Sequence, residues 1–303
     1  MFNSFTEILS HIQAAGIKKT AAVAAAHDDD VLESAAKARR LGIMDFILVG
    51  EKEKISGILA RLGEKPSDWE IIDEEDESKA AAIVAKMVAD GRADMPVKGI
   101  LHTSVYLRAL LNKEIGLLDK KALLSQATVF EDENAGKLRL VTDCVINVAP
   151  DYEAKFQIVK SAAALARKLG IEEPKVAIIA PVETVNPAMP ECVDAAMLSK
   201  ACERGQLRGC VVDGPLSLDL ALSSDAAEIK GVRSEVAGRA DVLVVPNLVT
   251  GNVLDKAIRL LAGFRTAGAI LGAKMPFVAT SRSDSAQNKL NTIAVSILQA
   301  EEE

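Results

Sequence analysis

The sequence predicts an α/β protein with two domains, each built around a doubly wound and mostly parallel sheet. Short apolar runs alternate with amphipathic stretches about every 25 residues, which is typical of β–α–β units. A chain of 303 residues is too long for one ordinary single-core domain and suits two domains of ~150 residues. Hydrophobic residues make up 49% of the chain and charged residues 26%, as in globular proteins.

The first half of the chain has the clearest β–α alternation. Strands are expected at residues 21–26, 44–49, 70–72 and 97–101. Helices are expected at residues 28–41, 51–62, 78–88 and 105–111. Asp28 begins the first of these helices, where a carboxylate suits the helix dipole. The acidic run at residues 73–77 is interpreted as a solvated loop.

The alternation changes in the middle of the chain. Two neighbouring strands are expected at residues 127–130 and 138–145, joined by a turn at residues 131–137. A long helix is expected from Tyr152 to Leu169, with Asp151 as its N-cap. We therefore expect the boundary between the domains near residue 150.

A second α/β series fills the remainder. Its strands are expected at residues 176–180, 210–212, 241–245, 269–271 and 277–280. Its helices are expected at residues 191–203, 216–222, 253–261 and 284–298.

Charge and composition argue against two classes of partner. Lys and Arg number 36 and Asp and Glu number 43, so the net charge is −7 and nucleic acid is an improbable ligand. Aromatic residues are only 3%, too few for base-stacking platforms. The N-terminal sequence resembles no secretion signal, and no apolar run of about 18 residues occurs. We expect a cytoplasmic protein that binds neither nucleic acid nor membrane.

The metal-binding and nucleotide-binding motifs are missing too. Four cysteines stand at positions 144, 192, 202 and 210 without a C-x-x-C pair, so free cytosolic thiols and no metal site are expected. The chain has no G-x-x-x-x-G-K-[ST] loop, no G-x-G-x-x-G loop, no H-E-x-x-H and no G-x-S-x-G. The usual sequence motifs of NAD and ATP sites are therefore absent.

The strongest candidate site follows the strand expected at residues 277–280. Ligands of open α/β sheets bind at the carboxyl ends of strands. Here Ser281, Ser283 and Ser285 supply hydroxyls, Arg282 supplies a planar cation, and Asp284 is placed to act as a base or acid. With the helix N-terminus that follows, these residues predict a phosphate or acyl-phosphate site. The alternative is simple capping by Ser283 or Asp284, with Arg282 in solvent.

A second candidate loop ends the strand expected at residues 97–101. Lys98 enters the strand, Gly99 permits close backbone approach, and His102 and Thr103 lie at its end. The histidine could donate to a carbonyl oxygen. The alternative is a Thr103 helix cap beside a structural histidine.

A third candidate is a Gly-Pro turn after the strand expected at residues 210–212. It contains Asp213, Gly214 and Pro215, with Asp219 at the next helix. The alternative is an ordinary turn with a carboxylate that begins a helix.

A fourth candidate lies before the helix expected at residues 253–261. Asn247, Gly251 and Asn252 form a backbone-donor loop, and Lys256 shares a helix face with Asn252 at i+4. The alternative is a glycine loop beside a solvated lysine.

Four motifs of the chain together resemble the phosphate acetyl/butyryltransferase family. They are K-G-x-L-H-T at residues 98–103, D-G-P-L-S-L-D at 213–219, P-N-x-x-x-G-N at 246–252 and S-R-S-D-S at 281–285, and they occur in the family's order. The resemblance covers almost the entire chain. Its compact length and the first motif resemble the butyryl branch more than the acetyl branch.

The resemblance implies a fold, a reaction and an assembly. The expected reaction is acyl-CoA plus phosphate giving acyl phosphate plus CoA, with coenzyme A as a substrate and no metal or prosthetic group. The expected architecture is similar to that of isocitrate and isopropylmalate dehydrogenases, with an interdomain cleft and a homodimer or higher oligomer. The last helix would rejoin the first domain, giving domains of residues 1–150 with 283–303 and of residues 151–282.

The resemblance also implies roles for the first candidate site. Arg282 would bind phosphate, and Ser281 would hydrogen-bond the thioester oxygen or phosphate in a ternary complex without an acyl-enzyme. A carboxylate would take the proton of the CoA thiol. In the acetyl branch that base lies several residues beyond the arginine, and the register here reaches Asn288, which cannot serve. Asp284 is the expected base, with Asp213 or Asp219 as alternatives.

Other functions stay open from the sequence. An acetyltransferase of the same family would share every motif. A metal-dependent decarboxylating dehydrogenase would need Asp ligands and an NAD site, for which the sequence has no clear version. A CoA- or phosphate-binding regulatory protein without activity is the third possibility.

Overall fold

A computed structural model describes residues 1–113, 115–119, 122–282 and 284–301. The chain forms two compact units. We call the unit of Phe5–Ala122 and Ala267–Glu303 the first unit, and the unit of Met1–Ser4 and Leu123–Thr266 the second unit.

The first unit begins with five helices and four strands. They are α1 (Phe5–Ala14), β1 (Lys19–Ala24), α2 (Asp29–Arg40), β2 (Met44–Gly50), α3 (Lys52–Arg61), β3 (Glu70–Asp73), α4 (Glu77–Ala89), β4 (Met95–Lys98) and α5 (Thr103–Leu110). A 3₁₀ turn at Pro66–Asp68 precedes β3. Asp28 caps α2 by accepting the N–H of Val31, as the sequence predicts.

The sheet of the first unit is parallel, with strand order β3-β2-β1-β4. Its two central strands, β1 and β2, consist mainly of buried apolar residues, because helices cover both faces of such sheets. Val278 forms a parallel bridge to Val97 and extends the sheet beyond β4. The Lys98 N–H donates to Val278 O at 2.8 Å, and the Val278 N–H donates to Pro96 O at 3.0 Å. The loops that follow β4 and Val278 therefore open at the same edge of the sheet.

The second unit contains five strands and five helices. In chain order they are β5 (Ser125–Asp132), β6 (Lys137–Thr142), α6 (Tyr152–Lys168), β7 (Lys175–Ile179), α7 (Pro190–Glu203), β8 (Val211–Leu216), α8 (Leu218–Leu222), α9 (Ser224–Ile229), β9 (Val242–Val244) and α10 (Leu248–Leu260). Their order in the sheet is β5-β6-β9-β7-β8. Among these five strands, the β5–β6 pair is antiparallel and the other three pairs are parallel.

The boundary between the units differs from the one expected near residue 150. The units divide at Leu123, before β5. The reason is a pairing between distant parts of the chain: β6 lies beside β9, with Val141 opposite Leu243. Both strands are buried, and β6 can satisfy its backbone groups only inside that sheet.

The chain returns to the first unit through β10 (Thr266–Leu271) and ends in α11 (Ala286–Gln299). α11 packs against α1 and α2. It is buried almost completely from Lys289 to Leu298, which is typical of a helix in the centre of a unit. Within the described residues, no helix has both the length and the apolar character needed to cross a membrane.

Candidate functional site

A short turn after Thr280 carries three of the predicted catalytic side chains. The Asp284 carboxylate accepts the Ser281 N–H at 2.7 Å, and the Asp284 N–H donates to Ser281 O at 3.2 Å. These two hydrogen bonds close the turn from Ser281 to Asp284. Ser281 and Arg282 are exposed, so the guanidinium is within reach of a dissolved anion. Ser283 lies outside the described residues.

The start of α11 shows which residue caps the helix. Ser285 is the N-cap, and its hydroxyl oxygen accepts the Asn288 N–H at 3.3 Å. The helix therefore begins two residues later than expected, at Ala286. Asp284 does not cap the helix, and its carboxylate closes the preceding turn.

Lys289 lies beneath the turn and was not identified from the sequence. Its side chain is buried, and its Nζ donates to Ser281 O at 3.0 Å and to Asp284 O at 2.7 Å. A sequence signal existed: Lys289 interrupts the apolar stripe that Ala286, Leu290 and Ile293 form at helical spacing. A charge on such a stripe is unusual and indicates a buried partner.

Lys98 is a second buried cation at the same edge of the sheet. Its Nζ donates to Gly99 O at 3.1 Å and Leu101 O at 3.2 Å. Burial, followed by the nearby cations Arg282 and Lys289, lowers the pKa of Lys98 from 10.5 to about 8, although Asp28 and Asp284 act in the opposite direction. The ammonium is thus held close to the turn and can exchange its proton near neutral pH.

Gly99 allows the chain to pass against the end of β1. A Cβ at this position would lie 2.0 Å from Ala25 O and 2.6 Å from Ala24 O. Only glycine fits there, so the sequence interpretation of a close backbone approach is correct.

His102 and Thr103 lie at the start of α5, and both are exposed. His102 occupies the N-cap position, and Thr103 is the first helical residue. The alternative of Thr103 as the helix cap is therefore wrong, because the cap precedes it by one residue.

In the second unit, Asn247 caps α10. Its side-chain oxygen accepts the N–H and the hydroxyl of Thr250 at 3.0 and 3.1 Å. The helix begins at Leu248, five residues earlier than expected, and the Gly251 N–H donates to Asn247 O. The expected backbone-donor loop at Gly251 and Asn252 is thus wrong, because both residues lie within the first turns of the helix. Lys256 is exposed further along α10.

The first turns of α10 pack against the loop after β6. A Cβ at Gly251 would lie 2.1 Å from Asp143 O, and the Asn252 amide donates to Cys144 O at 3.2 Å. The roles of Gly251 and Asn252 that the geometry supports are therefore close packing and attachment of this loop to α10.

A buried aspartate holds that loop together, and it was also missed from the sequence. Asp143 accepts the N–H groups of Val145, Ile146 and Asn147 at 2.9–3.1 Å. It also accepts the N–H of Gln126 and the side-chain amide of Asn147. An aspartate at the end of a strand gives no sequence signal of this role, since the donors become close only in the folded loop.

Asp213, Gly214 and Pro215 lie within β8 and not in the expected turn after it. The Asp213 carboxylate accepts the Gly214 N–H at 2.8 Å, beside an irregularity in the pairing with β7. A Cβ at Gly214 would lie 2.9 Å from the Ile178 carbonyl oxygen, so glycine is required by packing. The strand extends past this Gly-Pro pair because the bulge accommodates it.

Asp219 is exposed in α8. Its carboxylate accepts the Ser217 hydroxyl at 2.5 Å and lies 3.4 Å from the Lys230 ammonium. The Ser217 hydrogen bond, with a smaller contribution from Lys230, holds the pKa of Asp219 below its ordinary value. A carboxylate of this kind binds a proton more weakly than an ordinary one.

The predicted residues thus fall into two sets. The first unit brings together the turn at Ser281, Arg282, Asp284 and Ser285 with the loop at Lys98, His102 and Thr103. The second unit carries Asp213, Gly214, Pro215, Asp219, Asn247, Gly251, Asn252 and Lys256. Across the described part of the chain, no three His, Cys, Asp or Glu side chains are grouped to hold a metal ion.

Comparison with known proteins relates the chain to one group of enzymes. A family model described as phosphate acetyl/butaryl transferase matches residues 58–297. The chain is 45% identical over 300 residues to the phosphate butyryltransferase of Clostridium acetobutylicum, and the match covers 99% of each chain. It is 37% identical to the phosphate acetyltransferase of Thermotoga maritima, over 93% of this chain and 96% of that one.

A solved structure agrees with these sequence relatives. The chain resembles the crystal structure of a branched-chain phosphotransacylase from Enterococcus faecalis V583, with a TM-score of 0.81 and 32% identity. The superposition covers 94% of this chain and 100% of that one.

Proposed function

The chain belongs to the phosphate acetyl/butyryltransferase family, and on that premise we propose that it moves a butyryl group between coenzyme A and phosphate. The reaction is reversible: acyl-CoA plus inorganic phosphate gives acyl phosphate plus CoA. The observation that carries this proposal is the closed turn Ser281–Asp284, which presents Arg282 at the sheet edge that also holds Lys98.

In the chemical step, a phosphate oxygen attacks the carbonyl carbon of the thioester. A C–O bond forms and the C–S bond breaks, so CoA leaves as a thiolate and takes up a proton. The step needs no covalent enzyme intermediate. Two cysteines are unsuited to form one, because burial raises the pKa of the Cys144 thiol and raises that of Cys210 to about 11.

Phosphate binding is assigned to Arg282 with support from Lys98. The planar guanidinium can donate two parallel hydrogen bonds to one phosphate group. The net charge of −7 repels anionic substrates at long range, so attraction must come from such local cations. Lys98 adds positive charge next to the turn as long as its ammonium stays protonated.

The oxyanion and the proton are assigned to the same turn. The Ser281 hydroxyl would donate to the negative oxygen of the tetrahedral intermediate. Asp284 would take the CoA thiol proton in one direction and return it in the other. The lowered pKa of Asp219 makes it a weaker base, and the Asn288 amide cannot be one, so Asp284 is favoured. Asp213 is the remaining alternative.

The other predicted residues are assigned to the coenzyme. In the first unit, His102 and Thr103 begin α5 after β4, and Ser285 follows the turn, so we assign these three side chains to substrate binding. In the second unit, Asn247 caps α10, and Asn252 and Lys256 lie on that helix, so we assign these three side chains to substrate binding as well. No metal or prosthetic group is required by this mechanism, and coenzyme A is consumed as a substrate.

A homodimer in the cytoplasm is the assembly we propose. α10 exposes Val249, Val253 and Leu260, and such a set on one helix is typical of a surface that a second subunit covers. The free cysteines suit a reducing compartment. Light scattering on the wild type and on Val253→Glu tests the dimer, and a wild type that is monomeric at all concentrations would exclude it.

A thiol-reagent assay tests the reaction. Release of CoA from butyryl-CoA that depends on phosphate is the expected result. NAD reduction would support a dehydrogenase, and CoA binding without turnover would support a regulatory protein. Values of kcat/KM for acetyl-, propionyl-, butyryl- and isobutyryl-CoA then show which acyl group the enzyme prefers. A higher value for acetyl-CoA would favour phosphate acetyltransferase activity, although one methylene is worth only ~1–3 kcal/mol.

A further inference from the structure

Lys289 lies at a position in α11 that is unfavourable for a positive charge for two reasons. It is 3% exposed, so its ammonium has lost almost all contact with water. It is also the fourth residue of the helix, where the positive end of the helix dipole repels a cation. A methionine of similar length would fill the same space without either penalty, so stability alone does not account for a lysine here.

The hydrogen bonds of Lys289 indicate what the charge does. Its Nζ joins Ser281 O and Asp284 O, the carbonyl oxygens at the two ends of the turn. Both carbonyl groups therefore point inward, toward the ammonium. If they pointed outward, their negative ends would face the phosphate that Arg282 is assigned to bind.

The charge of Lys289 also acts on its neighbours. Together with Arg282, it is one of the two cations that lower the pKa of Lys98, so the three positive groups lie within electrostatic range of each other. Two carboxylates, Asp28 and Asp284, oppose them. The first unit thus concentrates positive charge at the turn although the chain as a whole is acidic.

We propose that Lys289 is a positioning residue of the transferase reaction, which holds the turn Ser281–Asp284 from beneath in the one arrangement that presents Arg282 to phosphate. The inference rests on the proposed function, because phosphate is the ligand to be positioned for. Lys289 itself does not contact the substrate; it acts through the turn. A misplacement of about 1 Å at a reacting group can cost about 100-fold in rate, so the expected effect is large.

The test compares Lys289→Met and Lys289→Gln with the exposed control Lys160→Met. For Lys289→Met, the KM for phosphate should rise about 10- to 100-fold, while the KM for butyryl-CoA stays near that of the wild type. The melting temperature should be unchanged or higher. The phosphate KM of Lys289→Gln should lie between those of the wild type and Lys289→Met, since the glutamine amide retains hydrogen-bond donors. An unchanged phosphate KM, or a lower melting temperature with loss of activity only in proportion to unfolded protein, would overturn the proposal.

A second measurement does not depend on turnover. Inorganic phosphate should protect Arg282 of the wild type from phenylglyoxal, followed by mass spectrometry, and Lys289→Met should need about 10- to 100-fold more phosphate for the same protection. Equal protection in both proteins would refute the role of Lys289. If the wild type releases no CoA, the proposed function fails, but this protection curve still decides the question of Lys289.

Discussion

Two loops, one in each unit, are closed by an aspartate, and the two aspartates differ in almost every other respect. Asp284 is partly exposed and accepts the Ser281 N–H of its turn. Asp143 is buried and accepts backbone N–H groups from three successive residues of its loop, Val145 to Asn147. Solvent can therefore reach the first aspartate, whereas the backbone of its own loop surrounds the carboxylate of the second.

The loops also differ in the charge that lies beneath them. Lys289 draws the carbonyl groups of the Ser281–Asp284 turn inward, whereas the Asp143 carboxylate draws the N–H groups of its loop inward. A loop whose carbonyl groups are turned away suits an anion, and a loop whose N–H groups are turned away does not. Loops at the carboxyl ends of strands thus have different roles in the two units: the one in the first unit is the proposed phosphate site, and the one in the second unit is held together by its own aspartate.

The strongest way to break this comparison is Asp284→Asn. The amide oxygen can still accept the Ser281 N–H, but the side chain no longer takes a proton. We expect kcat to fall about 10²- to 10⁴-fold, with a much smaller change in the phosphate KM. Steady-state kinetics in both directions measure this. A kcat near wild type would assign the base to another residue, and Asp213→Asn is the next variant to assay.

Arg282→Ala removes the planar cation. We expect the KM for phosphate to rise about 100-fold, because a bidentate charge-assisted contact is worth about 3 kcal/mol. The melting temperature should not change, since the side chain is exposed. Arg61→Ala, which removes an exposed arginine of α3, is the matched control. A phosphate KM within a factor of about two of wild type would exclude Arg282 as the phosphate ligand.

Asp143→Asn should have the opposite profile from Asp284→Asn. The lost charge weakens hydrogen bonds in a buried loop, so the free energy of unfolding should fall by about 1.5–3 kcal/mol. The kcat of the remaining folded protein should stay near wild type. Urea denaturation with parallel kinetics measures both quantities. A large loss of kcat in fully folded protein would place Asp143 in the chemistry and end the contrast.

Gly251→Ala sharpens the role of the second loop. The new Cβ would press on Asp143 O at 2.1 Å, and we expect a loss of about 1–3 kcal/mol in the free energy of unfolding. Gly57→Ala is the control, because no atom lies within 4 Å of its Cβ position in α3. That substitution should stabilise by about 0.5–1 kcal/mol. Equal effects of the two variants would mean that α10 does not press on the loop.

The smallest expected effect is a dependence of phosphate binding on pH. Because the pKa of Lys98 is lowered to about 8, its charge is lost as the pH rises through 8. The phosphate KM should then rise about threefold to tenfold between pH 7 and 9, and Lys98→Met should have a high KM without this rise. Lys37→Met, on the surface of α2, should behave as wild type. A flat wild-type profile would exclude Lys98 from phosphate binding.

The same lowered pKa has a consequence for stability. The unfolded chain binds the Lys98 proton up to about its ordinary pKa of 10.5, and the folded protein releases it near 8. Between these values the unfolded state binds more protons, so the contribution of Lys98 to the free energy of unfolding rises with pH.

The sequence predicts the parts of this molecule that depend on neighbouring residues. The β–α alternation, the Asp28 and Asp151 caps, the close approach at Gly99 and the polar turn after Thr280 are all local patterns. The position of the unit boundary, in contrast, depends on β6 pairing with β9, about a hundred residues further along the chain. The spacing of apolar residues within β6 does not indicate which distant strand it pairs with.

The candidate site divides in the same way. Ser281, Arg282 and Asp284 were visible because a polar run follows an apolar strand. Lys289 and Asp143 were not, since each is defined by backbone groups that only folding brings within 3 Å or so of its side chain. The start of α10 was misplaced because Gly251 suggested a loop, although in the fold it is the residue that lets the helix approach Asp143.

The first unit is assembled from two separate stretches of chain, and this sets an order of events during synthesis. Residues of the second unit are complete when the ribosome has passed Thr266, but Val278, the turn and α11 are made last. The second unit can therefore fold while the chain is still being made, whereas the first unit cannot be completed until its C-terminal residues are synthesised. The turn Ser281–Asp284 can form only when synthesis is almost finished, so a chain that ends before Thr280 lacks the proposed phosphate site altogether.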